Sequence, residues 1–447
     1  MIGKLLVLCL VVQVAHAVIK MQLNRPESLN EKLIREGKLD EYRISQRISR
    51  ARMLTRNRAN RFAVKRQPFY DFNDLEYNGK ITIGSADQEF SVILDTGSSN
   101  LWIVDKTCND TNNCDPECQE FGALCGLVCD PSCCGSAMFS VKKHQKFDDN
   151  DGPCEGKTQF DSDASNSYVY NGESWAIQYG TGSASGFLGQ DTVKLGDKGS
   201  DQLVIPKVTF GQATSLADFF TGQPLDGILG LAFRSLAEDD VKPVFQEAID
   251  QKLVDNPYFT VWIQKDGSDS EGKNGGQITW GGLDSDHCDV KNIVYIPLES
   301  KTYWEFSIQA TQIGKKKRSS KYWTGISDTG TSFTYVPTQV MQDIVDETNA
   351  QINEDYGAYE VDCKTKFTWT VTLNGNGFTI DEKSGVLNWN GVCLLAFGPQ
   401  DDDPQFILDK FKFKLTLLIL FFLRDSFIRE HCQIYDMTGQ VGFTKVL

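Results

Sequence analysis

Two segments of the chain repeat one another. Val92-Ile-Leu-Asp-Thr-Gly-Ser-Ser99 is echoed by Gly325-Ile-Ser-Asp-Thr-Gly-Thr-Ser332, with Asp328 standing 233 positions after Asp95. A lone Asp-Thr-Gly reads as a turn, because Asp and Gly are ordinary turn residues and the Asp side chain bonds its own backbone. Two copies, each flanked by apolar residues and Ser/Thr, point instead to a pair of carboxyl groups. Hydrolysis of an unactivated amide needs a base to deprotonate water and an acid to protonate the carbonyl. Two carboxyls about 3 Å apart cannot both ionise, so one shared proton lets the pair fill both roles. The hydroxyls after each Asp are placed to orient the carboxylates.

Elements that would position such a pair follow from the texture of the chain. From Tyr70 onward short β-type runs recur, such as Lys80-Ile-Thr-Ile-Gly84, Phe90-Ser-Val-Ile-Leu94 and Leu101-Trp-Ile-Val104, broken by Gly, Asp and Asn. About 380 residues of mainly β character exceed a single core, so two lobes of similar size are expected, each with one copy of the motif. The division predicted is residues 68–254 and 255–447.

Ahead of these lobes, residues 1–17 carry Lys4, an apolar run from Leu5 to Val14 and Ala15-His16-Ala17, the pattern of a signal peptide. Residues 18–67 read as a propeptide. They hold 14 Lys/Arg against 5 Asp/Glu, whereas residues 68–447 hold 30 against 55. A basic leader beside an acidic body favours an intramolecular partner over nucleic acid. Glu31 to Leu54 within it has helical character. Of 13 cysteines, Cys9 leaves with the signal, and the remaining 12, an even number in an exported chain, suit disulfides better than zinc. Eight lie between Cys108 and Cys154, and this insert reads as a stapled loop. No metal or organic cofactor is implied. Asn109-Asp-Thr111 is a glycosylation sequon.

The chain resembles the pepsin and cathepsin D family of aspartic endopeptidases from about Phe69 to Leu447. Asp95-Thr-Gly-Ser-Ser-Asn-Leu-Trp102 looks like the family's first active-site motif and Asp328-Thr-Gly-Thr-Ser332 like the second. Tyr179-Gly180-Thr181-Gly182 and the following Ser185-Gly-Phe-Leu-Gly-Gln-Asp191 look like its flap, and Asp226-Gly-Ile-Leu-Gly-Leu-Ala232 like the segment threaded beside the first aspartate. The resemblance implies a bilobal, mainly β acid-protease fold, two six-stranded-type barrels with the site in the cleft between them. It implies Asp95 and Asp328 as the catalytic dyad, Thr96 and Thr329 as a hydrogen-bonding pair between lobes, and Ser98 as support for Asp95. Gly97, Gly330 and Thr331 complete the dyad loops, and Tyr179 caps a polypeptide substrate. Trp102 is expected to be at least partly core. Cys363 and Cys393 match the family's second-lobe bridge, with Cys288 and Cys432 as candidates for another. The propeptide would inhibit the enzyme until acid loosens its ion pairs, with Lys65 reaching the dyad and cleavage between Asn60 and Pro68. A monomer in the secretory pathway is expected, bound for the cell exterior or a lysosomal or digestive lumen.

Three departures stand against that pattern. The insert 108–154 is longer than the family's usual loop. Lys315-Lys-Lys-Arg318 stands where a short disulfide loop is common and reads as a solvated hairpin tip, with a processing site as the rival. Residues 409–424 separate Phe406-Ile-Leu408 from Asp425-Ser-Phe-Ile-Arg429, and the glycine expected there is absent. This stretch reads as a retained intron or a misplaced exon junction, and its apolar run Leu415 to Leu423 is too short to span a bilayer, which takes about 20 residues. Two other functions fit less of the chain. A silent secreted binding protein on the same fold would more often have lost an Asp or replaced Gly97 or Gly330, and an extracellular Cys-rich module explains only residues 108 to 154.

Overall fold

The computed structural model describes residues 19–24, 78–108, 152–179, 182–223, 225–264, 274–330, 333–353, 356–389, 391–400, 419–423 and 425–447. Strands dominate. Six of them close a barrel in the first lobe, in the order Asn78–Ile83, Gln88–Asp95, Gly227–Gly230, Leu101–Val104, Leu203–Leu216 and Ser183–Leu195, and the last pairs back onto the first through Ile81 with Leu195. Strand Gln88–Asp95 explains the alternation in its sequence. Phe90, Val92 and Leu94 point into the larger core, while Ile93 points the other way into a smaller cluster with Trp102, Trp175, Phe220 and Leu225. Both faces of its C-terminal half are therefore covered, which fixes the end that carries Asp95.

The second lobe repeats the central device of the first. Trp323–Ser327, which leads into Asp328, runs parallel to Ile419–Leu423, and the latter also pairs antiparallel with Thr334–Pro337. This matches Gln88–Asp95, Gly227–Gly230 and Leu101–Val104. The remaining strands of this lobe are spread over three sheets of five, four and four strands. Between the lobes runs the rest of a 13-stranded sheet, in which Ile19–Asn24 pairs antiparallel with Asn274–Trp280 and reaches Asn78 through Asn24. Lys20 of that strand forms an ion pair with Asp286. Aromatic rings tie the lobes across this region, with Phe233 4.7 Å from Trp304 and Phe245 edge-on to Phe259 at 5.2 Å. Among the described residues no helix is long and apolar enough to cross a membrane.

Two readings of the departures are corrected. Residues 409–424 do not simply interrupt the lobe, because Ile419–Leu423 is the strand laid beside Trp323–Ser327. An apolar run of this kind suits a strand covered on both faces. Residues 409–418 and Arg424 lie outside the described residues. The solvated hairpin tip holds only in part: Lys315 sits in the exposed turn and Lys317 is exposed, but Lys316 and Arg318 are paired. Lys316–Ser319 pairs with Ala310–Ile313, Arg318 grips the carboxylate of Asp343, and Lys316 lies 2.6 Å from Asp346. Both acids stand on helix Thr338–Thr348, three residues apart and so on one face.

Among the described residues disulfides close three loops. Cys108 and Cys154 join the two ends of the Cys-rich insert, Cys363 is bonded to Cys393, and Cys288 to Cys432, with Cα separations of 5.9, 5.2 and 5.9 Å. The insert itself, with Asn109 and its six inner cysteines, lies outside the described residues.

Candidate active site

Asp95 ends one strand and Asp328 follows another, and each turn is knotted by its own carboxylate. Gly97 N–H donates to Asp95 Oδ1 at 2.8 Å and Gly330 N–H to Asp328 Oδ1 at 2.9 Å. Ser98 Oγ donates to the other oxygen of Asp95. The two turns then lock to each other. Thr96 Oγ1 accepts from Thr329 N–H and donates to Ser327 O, both at 3.0 Å, while Thr329 Oγ1 accepts from Thr96 N–H at 3.0 Å and donates to Leu94 O. Each hydroxyl thus spans to the residue before the opposite aspartate. Four hydrogen bonds buried together hold the carboxyls in register across the lobe boundary.

Crowding at the two glycines shows how near the carboxyls are. A Cβ on Gly97 would stand 2.7 Å from Asp328 Oδ1 and 3.1 Å from Asp95 Oδ1, and one on Gly330 would stand 2.3 and 3.3 Å from the same two atoms in the reverse order. Only glycine leaves space for both groups. Neither Asp95 nor Asp328 is more than 7 % exposed. Burial first, and Asp328 second, push the Asp95 carboxyl from 3.8 up to about 7, against the pull of the Ser98 and Gly97 hydrogen bonds.

Beside Asp95 lies Gly230, opposite it in the parallel register. A Cβ there would come within 2.5 Å of the Ser99 backbone. In the second lobe Leu423 stands opposite Ser327, its carbonyl accepts from Asp328 N–H at 3.2 Å, and the next residue in the sequence is Arg424. The first lobe has Gly230 after Leu229 at the matching place.

Over the site comes the hairpin Val169–Gln178 and Ser183–Leu195. Tyr179 leaves its first strand, is held by its N–H to Gly182 O at 2.8 Å, and accepts a 2.8 Å hydrogen bond from Trp102 Nε1. Burial, then the Asp95 charge, raises its phenol well above the usual range. Gly180, Thr181 and Thr331 lie outside the described residues, as does Lys65. Trp102 is fully buried and packs edge-on against Phe220 at 5.5 Å, so it serves both the core and the hairpin.

A model of the eukaryotic aspartyl protease family matches residues 76–123 and 128–446. The chain belongs to that family. Relatives of the protease include aspartic protease 2 of Necator americanus, 37 % identical over 453 residues with 99 % of each chain covered, and aspartic protease 1 of Caenorhabditis elegans, 35 % identical with 98 % of this chain and 96 % of that one covered. Vacuolar protease A of Arthroderma otae is 30 % identical, covering 84 % of this chain and 79 % of that one. The protease is accordingly an aspartic-type endopeptidase of bilobal, pepsin-like fold that acts on polypeptides.

Two features of the protease's site have no signal in the motifs. Ser327 Oγ is tied to Tyr435 OH at 2.7 Å and to Gln433, so strand His431–Asp436 braces the Asp328 turn. Tyr303 keeps 38 % of its surface exposed, yet its phenol is raised by burial and then by Asp328, Asp95 and Glu305. It stands just ahead of strand Glu305–Ser307, which pairs with Trp323–Ser327 before Asp328.

Proposed function

We propose that the protease is a secreted zymogen cutting extended polypeptides in acid, with Asp95 and Asp328 as its dyad. The observation that carries this is the pair of buried carboxyls brought together at Gly97 and Gly330, with Asp95 pushed toward its protonated form. The Asp95 carboxyl is held at about 7 beside a second buried carboxyl, so the pair keeps one proton through the acid range. The ionised partner takes a proton from water as that water's oxygen attacks the carbonyl carbon. The shared proton passes to the carbonyl oxygen, and the resulting diol collapses as a proton reaches the amine nitrogen and the C–N bond breaks. Thr96 and Thr329 keep the carboxyls facing, Ser98 orients Asp95, and Tyr179 closes the hairpin over an extended substrate.

The upstream segments fit this reading. Residues 1–17 would direct export and residues 18–67 would inhibit until acid weakens their ion pairs, of which Lys20 with Asp286 is one. Three disulfides suit an oxidising lumen, and vacuolar protease A among the relatives favours a lysosomal or vacuolar one.

Hydrolysis of denatured haemoglobin between about pH 3 and 5 tests the proposal. Activity of the acid-treated chain should vanish with Asp95→Asn or Asp328→Asn. Equal turnover in either variant would refute the dyad, and silence of the unaltered chain, with peptides still bound, would favour a binding protein.

A further inference from the structure

The basic tetrad lies in a strand with one open side. Lys316–Ser319 stands at the end of a four-stranded sheet, paired with Ala310–Ile313, which pairs in turn with Thr368–Leu373. Gly314 and Lys315 form the two-residue turn of this hairpin, with Gly314 at φ 52°. Such a turn closes on a hydrogen-bonded pair, here Ile313 with Lys316, and the ladder alternates from there. Lys316 and Arg318 therefore direct their main-chain groups to the partner strand, while the N–H and C=O of Lys317 and Ser319 turn to the open edge. Both residues are exposed, and among the described residues no second strand pairs with this one.

Charge sets this edge apart from the rest of the body. Between Glu305 and Asp328 the sequence holds five cations, Lys315, Lys316, Lys317, Arg318 and Lys321, and no acid, whereas residues 68–447 hold 30 Lys/Arg against 55 Asp/Glu. Two of the five turn inward and fix the strand on helix Thr338–Thr348, Arg318 on Asp343 and Gln339 and Lys316 on Asp346. The other three are exposed and form no ion pair among the described residues, with Lys321 lying 4.8 Å over the ring of Tyr322. One acid reaches the turn, since a Cβ on Gly314 would run into the Glu347 carboxylate, so Lys317 and Lys321 are the cations farthest from compensation. A lysine on an edge strand ordinarily keeps another chain from pairing there. It does so by charge, and the barrier becomes an attraction when the incoming strand is acidic.

We propose that the edge of Lys316–Ser319 docks an extended, acidic polypeptide segment, which joins the sheet as a fifth strand. Main-chain groups of the segment would pair with those of Lys317 and Ser319, and its carboxylates would meet Lys317 and Lys321. The open ladder favours a polypeptide over a polyanionic glycan or a lipid surface, which offer charge without a strand's donors and acceptors. Because Arg318 and Lys316 already hold the hairpin on its helix, little freedom is lost on docking. Repulsion from the acidic body fades beyond a Debye length, about 10 Å at 0.1 M salt, so the nearby cations decide. The docking does not depend on the chemistry of the dyad.

The test follows the fluorescence anisotropy of a labelled peptide of alternating Glu and Thr, about ten residues long, with the full chain near pH 7 in about 0.1 M salt. Saturable binding is expected. Lys317→Glu should weaken it by about tenfold and Lys321→Glu by less, with melting temperatures unchanged, while Lys317→Arg should bind as the unaltered chain does. The same peptide N-methylated at alternate residues, in either phase, keeps its charge and loses donors. In one phase it should bind about tenfold more weakly. Equal binding of both methylated peptides, with heparin or anionic vesicles displacing the probe, would show a surface that reads charge alone and would overturn the added strand. Absence of binding to the unaltered chain would also overturn the proposal. Binding that then appears when Asp401, Asp402 and Asp403 are all replaced by Asn would assign the edge to the chain's own acidic run instead.

Discussion

The two threonines carry more than their size suggests. Each hydroxyl is buried, accepts one backbone N–H and donates to one carbonyl of the other lobe. Thr96→Val removes both bonds and strands two buried backbone groups, so urea unfolding at pH 5 should show a loss of about 2 kcal/mol or more. Thr96→Ser keeps the hydroxyl and should lose far less. The raised Asp95 carboxyl has an opposite signature. Its folded value, about 7, lies above the ordinary 3.8, so between these pH values the folded chain binds a proton that the unfolded chain has released. Stability must therefore fall as pH rises from about 4 to 7. Asp95→Asn removes that penalty, and its melting temperature relative to the unaltered chain should rise across the same window. A difference that is flat with pH would show that the carboxyl is not held in its protonated form.

At the scale of elements the two lobes differ in sequence at one matching place. The strand beside Asp95 ends in Gly230, where a Cβ would meet backbone at 2.5 Å, while Leu423 is followed by Arg424. Arg424→Gly should raise both melting temperature and turnover, and Gly230→Arg should prevent folding of the first lobe. No gain with Arg424→Gly would mean that the two lobes solve this approach differently. The basic tetrad illustrates a milder effect. Arg318 and Asp343 form a two-pronged ion pair with Arg318 more than a third exposed, so a double-mutant cycle with Arg318→Ala and Asp343→Ala should give a coupling of about 1 kcal/mol, weakened by salt.

In the whole molecule the lobes are joined by the long sheet, the ring cluster around Trp304 and the two threonines. Cys288–Cys432 ties a loop to the strand His431–Asp436 across 144 residues of chain. Replacing both cysteines with alanine should cost about 2–5 kcal/mol in denaturant, and the Asp328 turn should loosen with it, since Gln433 and Tyr435 of the same strand brace Ser327. A fall in turnover at temperatures well below unfolding would report that loosening.

Much of this arrangement is local and therefore legible in the sequence. The Asp-Thr-Gly repeats, the alternation of Phe90, Val92 and Leu94, and the Tyr-Gly hairpin depend on neighbours a few residues away. The even set of cysteines is legible by count alone. Family resemblance extended these to pairings such as Cys363 with Cys393. Contacts between distant segments were not legible, because nothing in a strand's own residues names its partner. Whether Ile419–Leu423 interrupts the lobe or threads it, and whether Lys316 and Arg318 meet water or a helix, depends on what lies opposite.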